Sequence, residues 1–574
     1  MIRLRPWQWG PARRLSTQAT SSPSAAAAAA AANQHARSVV RCRFAPSPTG
    51  QLHLGGLRTA LFNVLMVRSS APGSRFILRI DDTDRNRYVE GAVESLIKTL
   101  RWAGLDWDEG PDKDSSVGPF FQSMRLSLYR EYIDRLLREG NAYRDFRPPS
   151  SEEVASQAGV RLAPYLPPSE SEAQEMIQAG KPFVVRLKMP ERTIPFEDLV
   201  FGKFNLDPRD LGNDPILLKS DGWPTYHLAN AVDDIEMQIT HVFRGEEWLP
   251  SVGKHLALFD ALGATPPHFA HLPLLINPDG SKLSKRSGDA HVQAYIDKGY
   301  EPEALINFVG LMGYNHQNAG SEAAAEGAEQ YSEVMSLDDL IRDFEVSRIA
   351  RSRASPFFPK LDFLNRQHVR RIVAASPSTT ASQRRIEVLD RARAELVAAF
   401  GEQASLSEDK MAELVTIIGE RATTLRDLPD EARFLFEDPD WQGEAAKKLL
   451  GGILAQKNNP KGADVGAVMK QVLERYSDAL KDVSAESGDP MQKVVPAVLE
   501  AVNSHNEQSG QPAWKSKALS TLAKKTLRWA VSGGKPGPAV ADLIPIMGRK
   551  KMLLRLQSAR QALDASLATV SSEK

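Results

Sequence analysis

The sequence predicts an α/β chain, with a parallel-sheet body split by an α+β insertion and followed by an all-α half. Three observations carry this. Residues 38 to 105 alternate strand and helix, and strand signals separated by a short helix return from 216 to 276. From about Pro111 to Pro215 prolines and polar stretches break the pattern, as an inserted domain would. Beyond Tyr300 strand signals almost vanish and helical spacing takes over.

The first 37 residues stand apart. They hold Arg3, Arg5, Arg13, Arg14 and Arg37, several Ser and Thr, and an alanine tract over Ala25–Ala32, and the first acidic residue of the chain is Asp81. That composition fits an organellar transit peptide or an untargeted disordered tail. A secretory signal needs a continuous apolar core, and Arg and Trp interrupt Met1 to Gly10.

Ser38 to Cys42 then reads as a strand, and Leu57, Ala60, Leu61, Val64 and Leu65 fall at helical spacing, so the Pro/Gly-rich stretch between them is a strand-to-helix turn. His53, Gly55 and Gly56 lie there. Small residues at a helix N-terminus can admit an anion to the backbone N–H groups, but the same turn is ordinary α/β architecture. Arg75 to Ile80 reads as the second strand, ending in Asp81-Asp82-Thr83-Asp84, and Val89 to Leu105 as an amphipathic helix. Inside the insertion Pro182 to Lys188 is a strand candidate, and Ser150 to Glu175 carries few order signals. Ile216 to Leu218, Thr240 to Arg244 and His271 to Ile276 read as the returning strands, with Tyr226 to Asp234 on a turn and short helix.

After the turn at Asn277–Gly280 comes Ser281-Lys282-Leu283-Ser284-Lys285-Arg286-Ser287-Gly288. Three cations in five residues make either a solvated loop or a clamp on phosphates. Helices follow at Pro302–Leu311, Leu337–Phe344, Leu361–Ala375, Ile386–Phe400, Lys410–Thr423, Glu444–Gln456, Asp464–Leu480 and Met491–Val502. Residues 511 to 560 carry eleven Lys and Arg against the single acid Asp542, either a solvated face or a surface for a polyanion such as RNA.

Composition sets the limits. At 574 residues the chain exceeds one core, 42% apolar and 25% charged content are globular values, and no run of about 18 apolar residues offers a membrane span. Lys+Arg and Asp+Glu are equal at 72 each, so net charge is silent about nucleic acid. A single cysteine, Cys42, excludes an intramolecular disulfide and a multi-cysteine zinc site.

Separated stretches resemble one family, the class I glutamyl-tRNA synthetases of mitochondrial and bacterial type. His53-Leu54-Gly55-Gly56 is similar to the HIGH motif, Lys282-Leu283-Ser284-Lys285-Arg286 to KMSKS, and Asp221 to Asn230 to the substrate loop between them. Arg244-Gly245-Glu246-Glu247-Trp248-Leu249 matches as well, and the likeness runs through Lys360 to Gln367 to Gly534-Lys535-Pro536-Gly537-Pro538. Order and spacing, more than any single motif, carry the resemblance.

The resemblance implies a split Rossmann-like catalytic domain and a two-step ligation. Glutamate attacks the α-phosphate of ATP, carried with Mg²⁺, and the glutamyl group then passes to the 3′ end of tRNA(Glu), with tRNA(Gln) an open second acceptor. It implies catalytic roles for His53, Lys282 and Lys285. ATP would be held by Pro48, His53, Gly55, Gly56, Glu247, Lys282, Leu283, Ser284, Lys285 and Arg286. Glutamate would be held by Arg43, Phe44, Ala45, Ser47, Asp81, Tyr226, Asn230 and Arg244. A substrate with two carboxylates and one ammonium asks for two cations, Arg43 and Arg244, and one anion, Asp81. The implied layout is a leader over 1–37, catalytic halves at 38–110 and 216–280, an acceptor-end insertion at 111–215, a stem-contact helical domain at 281–375 and an anticodon-binding domain at 376–574. A monomer in the mitochondrial matrix, without membrane attachment, completes the expectation.

Three departures from the family pattern stand out. Asp81 replaces the usual Glu of Glu-Asp-Thr-Asp, shortening that carboxylate by one methylene. Gly56 replaces the last histidine of the general HIGH motif. Tyr143 to Pro149, where some relatives carry zinc-binding cysteines, has none, so no zinc is expected. Among rivals, a glutaminyl-tRNA synthetase would read Pro-Glu-Pro-Asn where Pro46-Ser47-Pro48-Thr49 stands, and a tRNA-modifying glutamyl-queuosine relative would lack the helical half. A non-catalytic RNA-binding paralogue would have no use for His53, Lys282, Lys285, Arg43 and Arg244 together.

Overall fold

The computed structural model describes residues 38–148, 165–211, 213–281, 283, 291–316, 333–375, 381–481, 491–509 and 513–572. Residues 1–37, read as a leader, and, of the basic loop, Lys282, Ser284, Lys285 and Arg286 lie outside them.

Among the described residues the strands run in chain order as β1 (Arg41–Phe44), β2 (Arg75–Leu78), β3 (Ala142–Asp145), β4 (Val184–Leu187), β5 (Ile194–Asp198), β6 (Gly202–Leu206), β7 (Ile216–Leu218), β8 (His241–Gly245) and β9 (His268–Leu272). Six form the main sheet in the order β2-β1-β8-β9-β5-β6. The first five are mutually parallel and β6 pairs antiparallel with β5 at the edge. A parallel sheet needs cover on its faces, and β1, β2 and β8 are accordingly buried along most of their length, the charged Arg43 and Arg244 included.

Two placements differ from the sequence expectation. The hairpin β5–β6 lies inside residues 111–215 yet extends the main sheet, because Asp198 pairs with Phe269 on β9. Conversely, Ile216–Leu218 joins β3 and β4 in a separate antiparallel sheet, order β3-β4-β7, instead of the catalytic sheet. Alternation within a five-residue strand identifies a strand but not its neighbour, since pairing is decided by which edge is open. The third returning strand also begins earlier than His271, at His268.

The helix after β1, α1 (Leu54–Arg68), is buried over most of its length between the sheet and later helices. Its Arg58 reaches across and donates to the carbonyls of Pro273 (2.7 Å) and Met312 (2.9 Å), tying the turn after β9 to the helical half. Further helices are α2 (Ala92–Trp102), α3 (Leu126–Arg138), α4 (Glu170–Gln178), α5 (Tyr226–Glu236) and α6 (Val252–Ala261). α4 forms inside the stretch read as poor in order signals. Its start carries a capping box, Ser169 and Glu172 each bonding the other's backbone N–H.

Beyond β9 come α7 (Val292–Lys298), α8 (Pro302–Leu311), α9 (Leu337–Arg342) and α10 (Phe358–Ala374). Helices from Ala381 to Ser572 complete the all-α half. α10 serves two cores. Leu361 and Leu364 pack with the sheet and α1, whereas Val369 and Val373 belong to the C-terminal apolar cluster that runs to Leu563.

Candidate active site

A cleft of about 520 Å³ opens at the carboxyl ends of β1, β8 and β9, within the size range of small-ligand sites and in the position where parallel sheets bind ligands. Arg43, Phe44, Ala45, Ser47, Pro48, His53, Gly55, Gly56, Arg244, Glu247 and Leu283 line it. Asp81, Tyr226 and Asn230 are not among the lining residues: Asp81 and Asn230 are buried, and Tyr226 is half-buried beside Arg244.

His53 occupies the N-cap of α1, and its Nδ1 accepts from the N–H of Gly56 at 2.8 Å. One amide expected to face an anion is therefore taken by His53 itself. The same bond fixes the ring, because a neutral imidazole that accepts at Nδ1 carries its proton on Nε2 as a donor. The glycines also have a local reason. A Cβ on Gly56 would lie 2.7 Å from a methyl of Leu52, and one on Gly55 3.2 Å from the His53 ring.

Charge is distributed unevenly between the two expected cations. Arg43 is buried and already paired: Nε meets Asp234 at 3.0 Å, and a terminal nitrogen donates to Asn230 Oδ1 at 3.0 Å. Asp234 also takes Arg79 (2.8 Å), Arg79 takes Asp81 (2.8 Å), and Asp233 takes Arg125 (2.7 Å). Three guanidiniums thus face three carboxylates in a buried, balanced network. Burial alone would raise the Asp234 carboxyl, but Arg43 and Arg79 outweigh it and hold the group below its ordinary range. For Asp81 burial wins and the carboxyl is raised. Asp81 bonds Arg79 and Asn230 (3.3 Å) and does not line the cleft.

Arg244 is different. Its Nε donates to His271 Nε2 (2.9 Å), one terminal nitrogen reaches the Tyr226 hydroxyl and His255 Nδ1 (both 3.2 Å), and the other reaches the Trp248 carbonyl (3.3 Å). Every one of these partners is a neutral acceptor, and among the described residues no carboxylate lies within ion-pair distance of it. Burial pushes the His255 imidazole well below its usual range and lowers His271, so neither ring adds a competing charge. Burial likewise lowers the Arg244 guanidinium. Tyr226 holds the wall by packing on Trp248 with ring centroids 4.5 Å apart.

Sequence reading missed Asp198, Asp234, His255 and His271, which act through partners remote in the chain; no local spacing marks such pairs. Arg58, in the cleft wall, was hidden inside an apolar helical pattern. Of the basic residues in 511–560, Arg555 is buried and donates to the carbonyls of Phe434, Val531 and Glu437. Arg528 likewise bonds the Pro538 carbonyl. Those two hold the helical bundle together, while Lys515, Lys517, Lys524, Lys535, Lys550 and Arg560 are exposed.

Residues 39–353 match the catalytic domain of class I tRNA synthetases for E and Q, and 387–513 match an anticodon-binding domain. A glutamate–tRNA ligase of Chloroherpeton thalassium is 36% identical over 543 residues, covering 92% of this chain and 99% of that protein. A mitochondrial glutamate–tRNA ligase of Schizosaccharomyces pombe is 34% identical, covering 91% of each. The crystal structure of a glutamate tRNA ligase from Elizabethkingia meningosepticum in complex with its amino acid superposes with a TM-score of 0.71 at 30% identity, over 92% of this chain and all of that one. With these matches running from β1 through the helical half, the chain belongs to the glutamate–tRNA ligase family of class I aminoacyl-tRNA synthetases.

Proposed function

We propose that this chain activates L-glutamate with MgATP to glutamyl-adenylate and pyrophosphate, then transfers the glutamyl group to the 3′ end of tRNA(Glu). The observation that carries this reading is Arg244, a buried guanidinium with only neutral partners, in the same cleft as a helix-capping His53. A substrate carboxylate supplies the missing charge, and a neutral amide in its place leaves the guanidinium desolvated and unpaired.

Attack of a glutamate carboxylate oxygen on the α-phosphorus needs no protein nucleophile. Positioning and stabilisation of phosphate charge do the work, with the His53 Nε2 proton as one donor and Lys282 and Lys285 as further cations. The Mg²⁺ enters as part of the substrate, with phosphate oxygens as its ligands, and Glu247 is the carboxylate of that wall. Arg43, Phe44, Ala45 and Ser47 form the glutamate side, while Pro48, Gly55, Gly56 and Leu283 form the ATP side. The insertion over 111–215 would meet the acceptor end, the 281–375 helices the stem, and the exposed lysines of 511–560 the RNA backbone. The acid-poor leader and the mitochondrial relative support a matrix location. Charging of tRNA(Gln) and a monomeric state belong to the same proposal.

Glutamate-dependent ATP–pyrophosphate exchange, measured with and without tRNA, tests the activity. Exchange is expected with tRNA present, and its absence in both conditions would sink the reading. Assaying tRNA(Glu) and tRNA(Gln) side by side then decides the second acceptor.

A further inference from the structure

Arg244, His271 and Asp198 sit on three adjacent parallel strands. Arg244 on β8 lies in register with His271 on β9, and Asp198 ends β5, which pairs with β9 at Phe269. The Asp198 carboxylate is fixed before it reaches the histidine: Oδ1 accepts the N–H groups of Val200 and Phe201, both at 2.9 Å, where the chain turns toward β6. Oδ2 lies 2.6 Å from His271 Nδ1. All three side chains are buried, Arg244 being 5% exposed.

A carboxylate only accepts, so Nδ1 of His271 must carry its ring proton, and the neutral ring then presents a lone pair at Nε2. That lone pair receives the Arg244 Nε–H at 2.9 Å. With the opposite tautomer two N–H groups would face each other across the same distance. Burial keeps the ring neutral, so it orients the guanidinium without competing for the substrate's charge.

We infer that Asp198 and His271 are positioning residues for glutamate, Asp198 setting the His271 tautomer that holds the Arg244 fork toward the substrate carboxylate. The proposal rests on Arg244 being the carboxylate receptor. It also accounts for β5 and β6, which come from the insertion yet complete the catalytic sheet: the hairpin delivers the carboxylate that orients the receptor.

Asp198→Asn tests it in the full-length enzyme. The amide oxygen can keep the Val200 and Phe201 bonds while the amide nitrogen meets His271 Nδ1, forcing the ring proton to Nε2 against Arg244. By ATP–pyrophosphate exchange with tRNA present, KM for glutamate should rise about tenfold while KM for ATP stays within about twofold, the loss expected of one opposed charge-assisted bond. His271→Gln, whose terminal oxygen can take the place of Nε2, should recover much of the glutamate KM that the shorter His271→Asn loses. These two variants decide the matter on their own if Asp198→Asn does not fold. Equal changes in both KM values, no change in either, or indistinguishable Gln and Asn variants would overturn the proposal. Arg244→Met separates the premise: if it leaves the glutamate KM unchanged, the receptor assignment falls and the positioning role with it. A raised KM in Arg244→Met beside an unaltered one in Asp198→Asn removes the positioning role alone.

Discussion

Arg43 and Arg244 share one cleft and one residue type, and their neighbours separate their roles. Arg43 answers Asp234, so removing it strands a buried carboxylate that only Arg79 then offsets. Arg43→Met should therefore lower folding stability by about 3 kcal/mol in addition to any effect on substrate. Arg244 answers neutral groups, so Arg244→Met strands no charge and should change stability by less than about 1 kcal/mol while raising the glutamate KM. Denaturant midpoints of the two variants check the contrast; equal destabilisation would contradict the assignment. At this scale the residue types were legible in the sequence, because a diacid substrate calls for arginines. Which arginine retains its charge for the ligand was not, since Asp234 and His271 approach from remote positions in the chain.

At the scale of elements, local chemistry accounts for the starts of helices. His53 caps α1 through its ring, and Ser169 with Glu172 caps α4. Ser169→Ala removes one half of that box and should destabilise α4 by about 1 kcal/mol, read as faster amide exchange over 170–178. Protection unchanged there would show that tertiary contacts alone hold the helix. Gly56→Ala brings a Cβ to 2.7 Å from the Leu52 methyl, and because a leucine terminus can rotate the expected loss is near about 1 kcal/mol. The Ser-x-x-Glu signature at 169–172 stood in a stretch read as poor in order signals, so the helix it starts was missed, whereas β5 and β6 offered only short alternation. The helix at Ser516–Ser532 was similarly masked by its charge, its buried Leu519, Leu522 and Trp529 falling between lysines.

Across the whole molecule, α10 joins the catalytic core to the C-terminal core, and its buried His368 bonds Asn307 of α8 at 3.0 Å. Burial lowers that imidazole from 6.5 to about 4, so it stays neutral when folded at pH values where the unfolded chain binds a proton. The unfolded state then holds more protons, and stability falls as pH drops from 6.5 toward about 4. Between pH 7 and 5 the wild type should lose about 2 kcal/mol more than His368→Gln, which keeps a donor toward Asn307 and cannot titrate. Urea unfolding of both proteins at the two pH values measures this difference directly, and parallel losses would remove His368 from the pH response. Comparing the pair cancels the carboxylates common to both, including Asp81 and Asp233, whose raised values act in the opposite sense.

The sequence by itself determined the periodicities, and with them the alternation of strand and helix up to 276, the all-α half, the strand-to-helix turn at His53 and the residues that line the cleft from 43 to 56. Those features depend on spacing within a few residues, which the chain displays directly. Only the tertiary structure decided which sheet each short strand joins, that Asp81 turns inward to Arg79, and that Arg244 keeps an unanswered charge. The Asp81–Arg79 pair is local, but Asp234 and Asn230 complete its network from about 150 positions away and His271 reaches Arg244 from 27, all in a low-dielectric interior where one carboxylate more or less reverses the electrostatic role of an arginine.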